Sequence, residues 1–104
     1  MEAVPVEILA KDVACTLEDA EVPGRISEWK ALLALTTERA RGQETVTLRF
    51  AAAPGLAARI ADLAQRELEC CAFFEFTVRI VGDVVELEVR APSDAAPLLD
   101  AFLS

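Results

Sequence analysis

The sequence predicts an α+β fold, a two-layer ferredoxin-like half-sheet with the element order α-β-α-β-β-α. Segments in which apolar residues recur every three or four positions are interleaved with segments of strict apolar–polar alternation. A length of 104 residues is enough for one compact domain and too short for two. We expect this single α+β domain to span residues 14–104, after an N-terminal tail or edge segment over residues 1–13.

Three amphipathic segments predict the helices. The first is expected from Pro23, which suits a first helical position, to Ala40, with Gly42 ending it. The second carries one apolar stripe, made by Leu56, Ile60, Leu63, Ala64, Leu68 and Cys71. The last follows Ser93, a good N-cap residue, and is expected to bury Leu98, Leu99 and Phe102.

Three alternating segments predict strands, from Glu44 to Phe50, from Phe73 to Ile80 and from Val85 to Arg90. A strand–helix–strand unit followed by a hairpin places the third strand between the first two. The prediction is therefore a three-stranded sheet of order 1-3-2 with helices on one face. Its other face is expected to be polar, with Thr45, Thr47, Arg49, Glu75, Thr77, Arg79, Glu86, Glu88 and Arg90. Two open edges favour a homodimer, or cover by the N-terminal segment.

Composition excludes several classes of function. The net charge of −8 disfavours nucleic acid and anionic membrane surfaces as partners. There is no histidine or tyrosine, which removes imidazole ligands and every Ser–His or Cys–His nucleophile pair and makes an enzyme the weakest hypothesis. No signal peptide or membrane-spanning apolar run is visible, and three cysteines do not suggest a secreted disulfide framework. We therefore expect a cytoplasmic protein with reduced thiols.

The adjacent cysteines Cys70 and Cys71 are the most informative feature, at the junction of the second helix and the second strand. Thiolates select soft ions such as Hg(II), Cu(I) or Zn(II), and two sulfurs suffice for a two-coordinate ion. A tetrahedral zinc site needs about four ligands, so Cys15 or carboxylates would have to contribute. Alternatively, Cys71 is a packing residue, because it falls on the apolar stripe, whereas Cys70 is expected to be more accessible.

Two further residues complete the candidate metal site. Cys15 adds a third sulfur if its segment folds back over the end of the second helix, and is otherwise a small core residue. Glu67 lies three residues before Cys70 and four before Cys71, so the three share one side of a helix. It is either a supplementary ligand or proton acceptor, or an ordinary carboxylate at the rim.

The Cys-Cys-x-Phe-Phe block, with several accompanying motifs, resembles a small bacterial domain. The motifs are Ala14-Cys15-Thr16-Leu17, Arg25 to Trp29 with Leu32-Leu33, Glu67 to Phe76, Leu87 to Pro92, and Phe102-Leu103. The pattern is similar to the C-terminal extension of actinobacterial MerR-type heavy-metal-responsive regulators and to stand-alone proteins of the same type. The resemblance implies association with a soft metal, mercury being the natural candidate, at Cys15, Cys70 and Cys71. No helix-turn-helix precedes the domain here, so regulation by DNA binding is not expected of this chain.

Two functions of different classes follow. The first is a soft-metal thiolate-binding module for heavy-metal handling. The second is a structural homodimerisation or partner-binding domain whose cysteines are core residues. Accessibility of Cys70 discriminates between them, because a metal must reach its sulfur.

Overall fold

The computed structural model describes residues 22–103, which form a four-stranded antiparallel sheet packed against two α-helices and a C-terminal 3₁₀ helix. The elements are α1 (Val22–Leu33), β1 (Thr36–Arg41), β2 (Thr45–Ala51), α2 (Leu56–Cys70), β3 (Glu75–Val81), β4 (Val84–Arg90) and the 3₁₀ helix (Ala96–Leu103). The predicted N-terminal segment over residues 1–13 and Cys15 lie outside the described residues. Among the described helices, none is both long and apolar enough to cross a bilayer.

The strand order is β1-β2-β4-β3, so the prediction of a three-stranded sheet is wrong. The additional strand, β1, pairs antiparallel with β2 and forms one edge of the sheet. Inside the larger sheet, β4 pairs antiparallel with β2 on one side and with β3 on the other. The predicted α+β class is confirmed, whereas the prediction of a ferredoxin-like half-sheet is wrong.

Helix α1 ends at Leu33, seven residues before the predicted Ala40, because the chain after it becomes β1. The Thr36 hydroxyl donates to the Leu33 carbonyl at 2.8 Å, and Arg39 Nη2 donates to the same oxygen at 3.0 Å. These two donors satisfy a carbonyl that the end of the helix leaves without an intrahelical partner. Gly42 therefore belongs to the β1–β2 turn, where a Cβ would meet Thr45 Oγ1 at 2.5 Å.

Strand β1 is bonded to the C-terminal 3₁₀ helix through two arginine side chains. Arg39 Nη1 donates to the Leu103 carbonyl at 2.7 Å, and Arg41 Nη2 donates to the Ala96 carbonyl at 3.0 Å. Arg41 also forms a 3.0 Å ion pair with Asp100. The arginines of this edge strand thus tie it to the 3₁₀ helix, which fills the place of the predicted last α-helix.

The 3₁₀ helix buries the predicted Leu98, Leu99 and Phe102 but begins at Ala96. Ser93 contributes its backbone carbonyl, which accepts from the Ala96 N–H at 3.4 Å. The helices cover the apolar face of the sheet, where the fully buried side chains include Val46, Leu48, Phe50, Leu87 and Val89.

The opposite face carries the predicted polar residues, and its centre is a cluster of ion pairs. Arg49 bonds Glu86 at 3.0 Å and Glu38 at 3.2 Å, while Arg79 Nη2 lies 2.6 Å from Glu86. The hydrogen bonds from Arg79 and then Arg49 hold the pKa of Glu86 below its ordinary value of 4.5. Because a lowered pKa favours the folded state only while the group is ionised, this contribution is present above pH 4.5 and is lost at lower pH.

The substitution Glu86→Gln should therefore remove part of the dependence of stability on pH. We expect the difference in unfolding free energy between wild type and E86Q to shrink as the pH falls from about 6 to about 3, measured by urea denaturation. The control is Glu69→Gln on the exposed side of α2, which changes the net charge equally and removes no ion pair found within residues 22–103. A difference for E86Q that stays flat across this range contradicts the prediction.

Candidate functional site

Glu67 lies in the last turn of α2 and is completely buried, with 0% of its surface exposed. The interpretation of Glu67 as a rim carboxylate is therefore wrong. The spacing of α2 explains its position, because Glu67 follows Leu63 and Ala64 by four and three residues and so continues the buried stripe. This periodicity was the signal in the sequence that identifies Glu67 as an interior charge.

Two donors from α1 bind the same oxygen of Glu67. Trp29 Nε1 donates to Oε1 at 2.8 Å, and Arg25 Nη1 donates to it at 3.2 Å. Arg25 and Trp29 are four residues apart and therefore lie on one face of α1. The second oxygen, Oε2, is buried and has no hydrogen-bond partner within residues 22–103. A buried carboxylate with one unsatisfied oxygen is costly, and such groups are rare in folded proteins.

Cys70 completes the cluster. Its Sγ accepts a hydrogen bond from Arg25 Nη1 at 3.4 Å and donates to the Arg66 carbonyl, one helical turn earlier, also at 3.4 Å. Only 6% of Cys70 is exposed, so the expectation that it is accessible is wrong. The cause is the packing of α1 against α2, which places Arg25 over the sulfur. An ion pair of 2.7 Å between Glu28 and Arg66 also joins the two helices.

Cys71 is the residue that follows α2 and lies entirely in the hydrophobic core. Its N–H makes the last bond of the helix, to the Glu67 carbonyl at 2.7 Å, and its φ of −131° turns the chain out of the helix. The interpretation of Cys71 as a packing residue agrees with this burial. The two sulfurs are thus adjacent in the chain, and both are shielded from solvent.

The Arg25 guanidinium is the positive charge of this cluster, with 11% of its side chain exposed. Burial lowers the pKa of Arg25, but its hydrogen bonds to Cys70 and Glu67 outweigh that effect and raise the pKa overall. Arg25 therefore remains charged and balances a carboxylate in the interior. Sequence reasoning did not single out Arg25 for chemistry, because its contact with Glu67 depends on how the two helices cross.

Trp29 and three phenylalanine rings form an aromatic group beside the Glu67 carboxylate. The Trp29 ring stacks on Phe76 with centroids 6.2 Å apart and meets Phe102 edge-on at 4.9 Å. Phe74 in turn contacts both Phe76 and Phe102. This apolar surrounding lowers the local dielectric, which strengthens the Trp29–Glu67 hydrogen bond and raises the cost of leaving Oε2 unsatisfied.

The described residues do not gather three side chains that could hold a metal ion together. Cys70, Cys71 and Glu67 are close in sequence, yet they do not form a three-ligand group, and Cys15 is outside the described range. A tetrahedral zinc site would need about four ligands and is not built from residues 22–103 alone. Any site formed by these residues would use the two sulfurs and suit an ion of low coordination number.

No protein-family model matches the sequence, and no curated protein is significantly similar to it. The likeness to the C-terminal extension of MerR-type regulators consequently stays a prediction from the motifs.

Proposed function

We propose that this protein is a soft-metal thiolate-binding module, of the mercury type, that handles heavy metals in the cytoplasm. The observation that carries the proposal is the arrangement around Arg25 Nη1, which bonds both Cys70 Sγ and Glu67 Oε1 while Glu67 Oε2 has no partner among residues 22–103. The guanidinium, the Cys70 sulfur and a carboxylate with one unsatisfied oxygen thus lie together in one buried cluster. The resemblance to heavy-metal regulators supports the same conclusion.

The chemistry follows from what the ion displaces. A thiol that binds a soft cation releases its proton, so binding to Cys70 and Cys71 releases two protons for each ion. Glu67 Oε2 supplies an acceptor for one of them inside the protein, and the other leaves to solvent. The Arg25 side chain, 11% exposed, is the group whose movement opens a path to the Cys70 sulfur.

The ion we propose is one that two sulfurs satisfy, Hg(II) or Cu(I), in preference to Zn(II). Cys15 is proposed as the third sulfur. Six residues lie between it and Val22, the start of α1, and the chain from Cys15 to Val22 can span roughly 23 Å when extended. The distance alone therefore permits Cys15 to reach the α1–α2 junction.

A titration of the reduced protein with Hg(II), Cu(I) and Zn(II) tests the proposal, with thiolate-to-metal absorption as the readout and a small thiol as competitor. We expect stoichiometric binding of Hg(II) and Cu(I), stronger than that of Zn(II). The double variant Cys70→Ser/Cys71→Ser should lose it, and Cys15→Ser should weaken it by about tenfold or more. Binding no tighter than that of a small free thiol contradicts the proposal.

The role of Glu67 has a matched control nearby. Glu67→Gln should reduce the affinity for the ion at neutral pH. It should also raise the number of protons released to solvent for each ion, because the internal acceptor is gone. Glu69→Gln changes an exposed carboxylate two residues away and should leave both quantities unchanged. Equal effects of the two substitutions on binding contradict a specific role for Glu67.

A second candidate is a structural or partner-binding domain in which both cysteines only pack. The burial of Cys70 and Cys71, at 6% and 0% exposure, favours it. The rate at which the folded protein reacts with a small thiol reagent separates the candidates. Reaction limited by global unfolding, together with no metal binding, supports the structural role, whereas fast reaction at Cys70 supports the metal-binding module.

A further inference from the structure

The sheet has two edge strands, and they differ in how they are protected. β1 contains a register shift between Thr36 and Glu38, and its arginines bond the 3₁₀ helix. β3 pairs with β4 in an uninterrupted register from Glu75 to Val81 and contains no proline. Its end is apolar and open to solvent, with Ile80 65% and Val81 64% exposed. Such a regular edge is a template for pairing with another strand.

The hairpin geometry determines which backbone groups of β3 are available. Gly82, with a φ of 58°, and Asp83 form a two-residue turn, and Val81 pairs with Val84 across it. Residues that flank a two-residue turn exchange both backbone hydrogen bonds, and the bonded pairs then recur at every second position. The N–H and C=O groups of Phe76, Val78 and Ile80 therefore point away from β4, toward the edge.

We propose that β3 pairs antiparallel with β3 of a second copy of this chain, with Thr77 opposite the partner's Thr77. In this register Phe76 faces the partner's Val78, and the outward backbone groups of both residues bond across the interface. Glu75 faces the partner's Arg79. The two sheets then join into one continuous sheet of eight strands, four from residues 22–103 of each copy.

Complementarity of charge and polarity selects this register. Glu75 has no ion pair within residues 22–103, and the pairing places it on the same face as the partner's Arg79, whose side chain is 65% exposed. Centring the pairing on Val78 would instead place Glu75 opposite Val81, a charge against an apolar side chain.

Sedimentation equilibrium over micromolar to millimolar concentrations tests the pairing. We expect a reversible dimer, and Val78→Pro should raise its dissociation constant by about tenfold or more, because proline removes an N–H that only the partner uses. Val78→Ala trims the same side chain but keeps the N–H, so it is the matched control and should retain the dimer. A wild type that is monomeric throughout, or a dimer unaffected by V78P, overturns the proposal.

An exchange of charges tests the register itself, and its result is interpretable even if V78P fails to fold. Glu75→Arg and Arg79→Glu each place like charges opposite one another, so each variant alone should dimerise about three- to tenfold more weakly than wild type. In a mixture, one chain of each kind restores opposite charges at both positions. Native mass spectrometry should then show mixed dimers in excess of either homodimer. A statistical mixture overturns the Thr77-centred register, and neither experiment depends on metal binding.

Discussion

Replacement of Glu67 by alanine should lower the free energy of unfolding by about 3 kcal/mol, one of the two largest effects that we expect from a single change in this protein. The substitution leaves Trp29 Nε1 without its acceptor and Arg25 without its carboxylate, and it opens a cavity between α1 and α2. Removing one member of a buried charged pair strands the other, which is why the expected loss exceeds that of a neutral hydrogen bond. Urea denaturation followed by circular dichroism measures it.

Two companion variants separate charge from packing. Glu69→Ala removes an exposed carboxylate of the same helix and should change stability by no more than about 0.5 kcal/mol. Glu67→Gln keeps an oxygen that can accept from Trp29 but loses the charge, so we expect an intermediate loss of about 1–2 kcal/mol. If Glu67→Ala is as mild as Glu69→Ala, the buried network does not stabilise the fold.

Replacement of Trp29 by alanine should lower the free energy of unfolding by about 3–5 kcal/mol, because the ring is 93% buried and contacts both the aromatic side chains of the core and the Glu67 carboxylate. Its apolar surface packs against Phe76 and Phe102, while its N–H bonds Glu67. The change therefore leaves a large cavity and an interior oxygen with one donor fewer. Thermal and urea unfolding, again followed by circular dichroism, report the loss.

The control for Trp29 lies one turn earlier on the same helix. Ile26 is 47% exposed, and Ile26→Ala should change stability by less than about 1 kcal/mol. The variant Trp29→Phe preserves most of the packing and removes the donor. Its effect should be smaller in the Glu67→Ala background than in wild type, because Glu67→Ala removes the acceptor of the hydrogen bond that the two residues share. Strict additivity of these two substitutions contradicts an energetic contribution from that bond.

The parts of the fold that the sequence predicts are those in which burial imposes a period. Helix α2 and strands β2 and β4 each bury one side, so their apolar residues repeat at 3.6 or at 2 positions. The sequence of β1 shows no such apolar period, because five of its six side chains are exposed. Its polar residues are compatible with the end of a helix, and only the pairing with β2 makes them a strand.

The candidate site divides in the same way. The spacing of Glu67, Cys70 and Cys71 is local and predicts that they share one side of a helix, but α2 ends at Cys70 and Cys71 already leaves the helical conformation. The burial of Cys70 and the bond from Arg25 arise where α1 crosses α2, and Arg25 and Cys70 are 45 positions apart in the sequence. No local pattern encodes that crossing, and an exposed Cys70 was the reasonable expectation for a residue at the end of a helix.

The chain has one tryptophan, and its indole N–H is bonded to the buried carboxylate of Glu67, three residues before Cys70. The emission energy of an indole depends on the electric field along its ring, and the loss of the Glu67 charge or the departure of Arg25 would change that field. A heavy atom close to the ring would also quench its fluorescence by promoting intersystem crossing. The protein thus carries an intrinsic optical reporter, and the wavelength and lifetime of Trp29 emission follow this interior without any label.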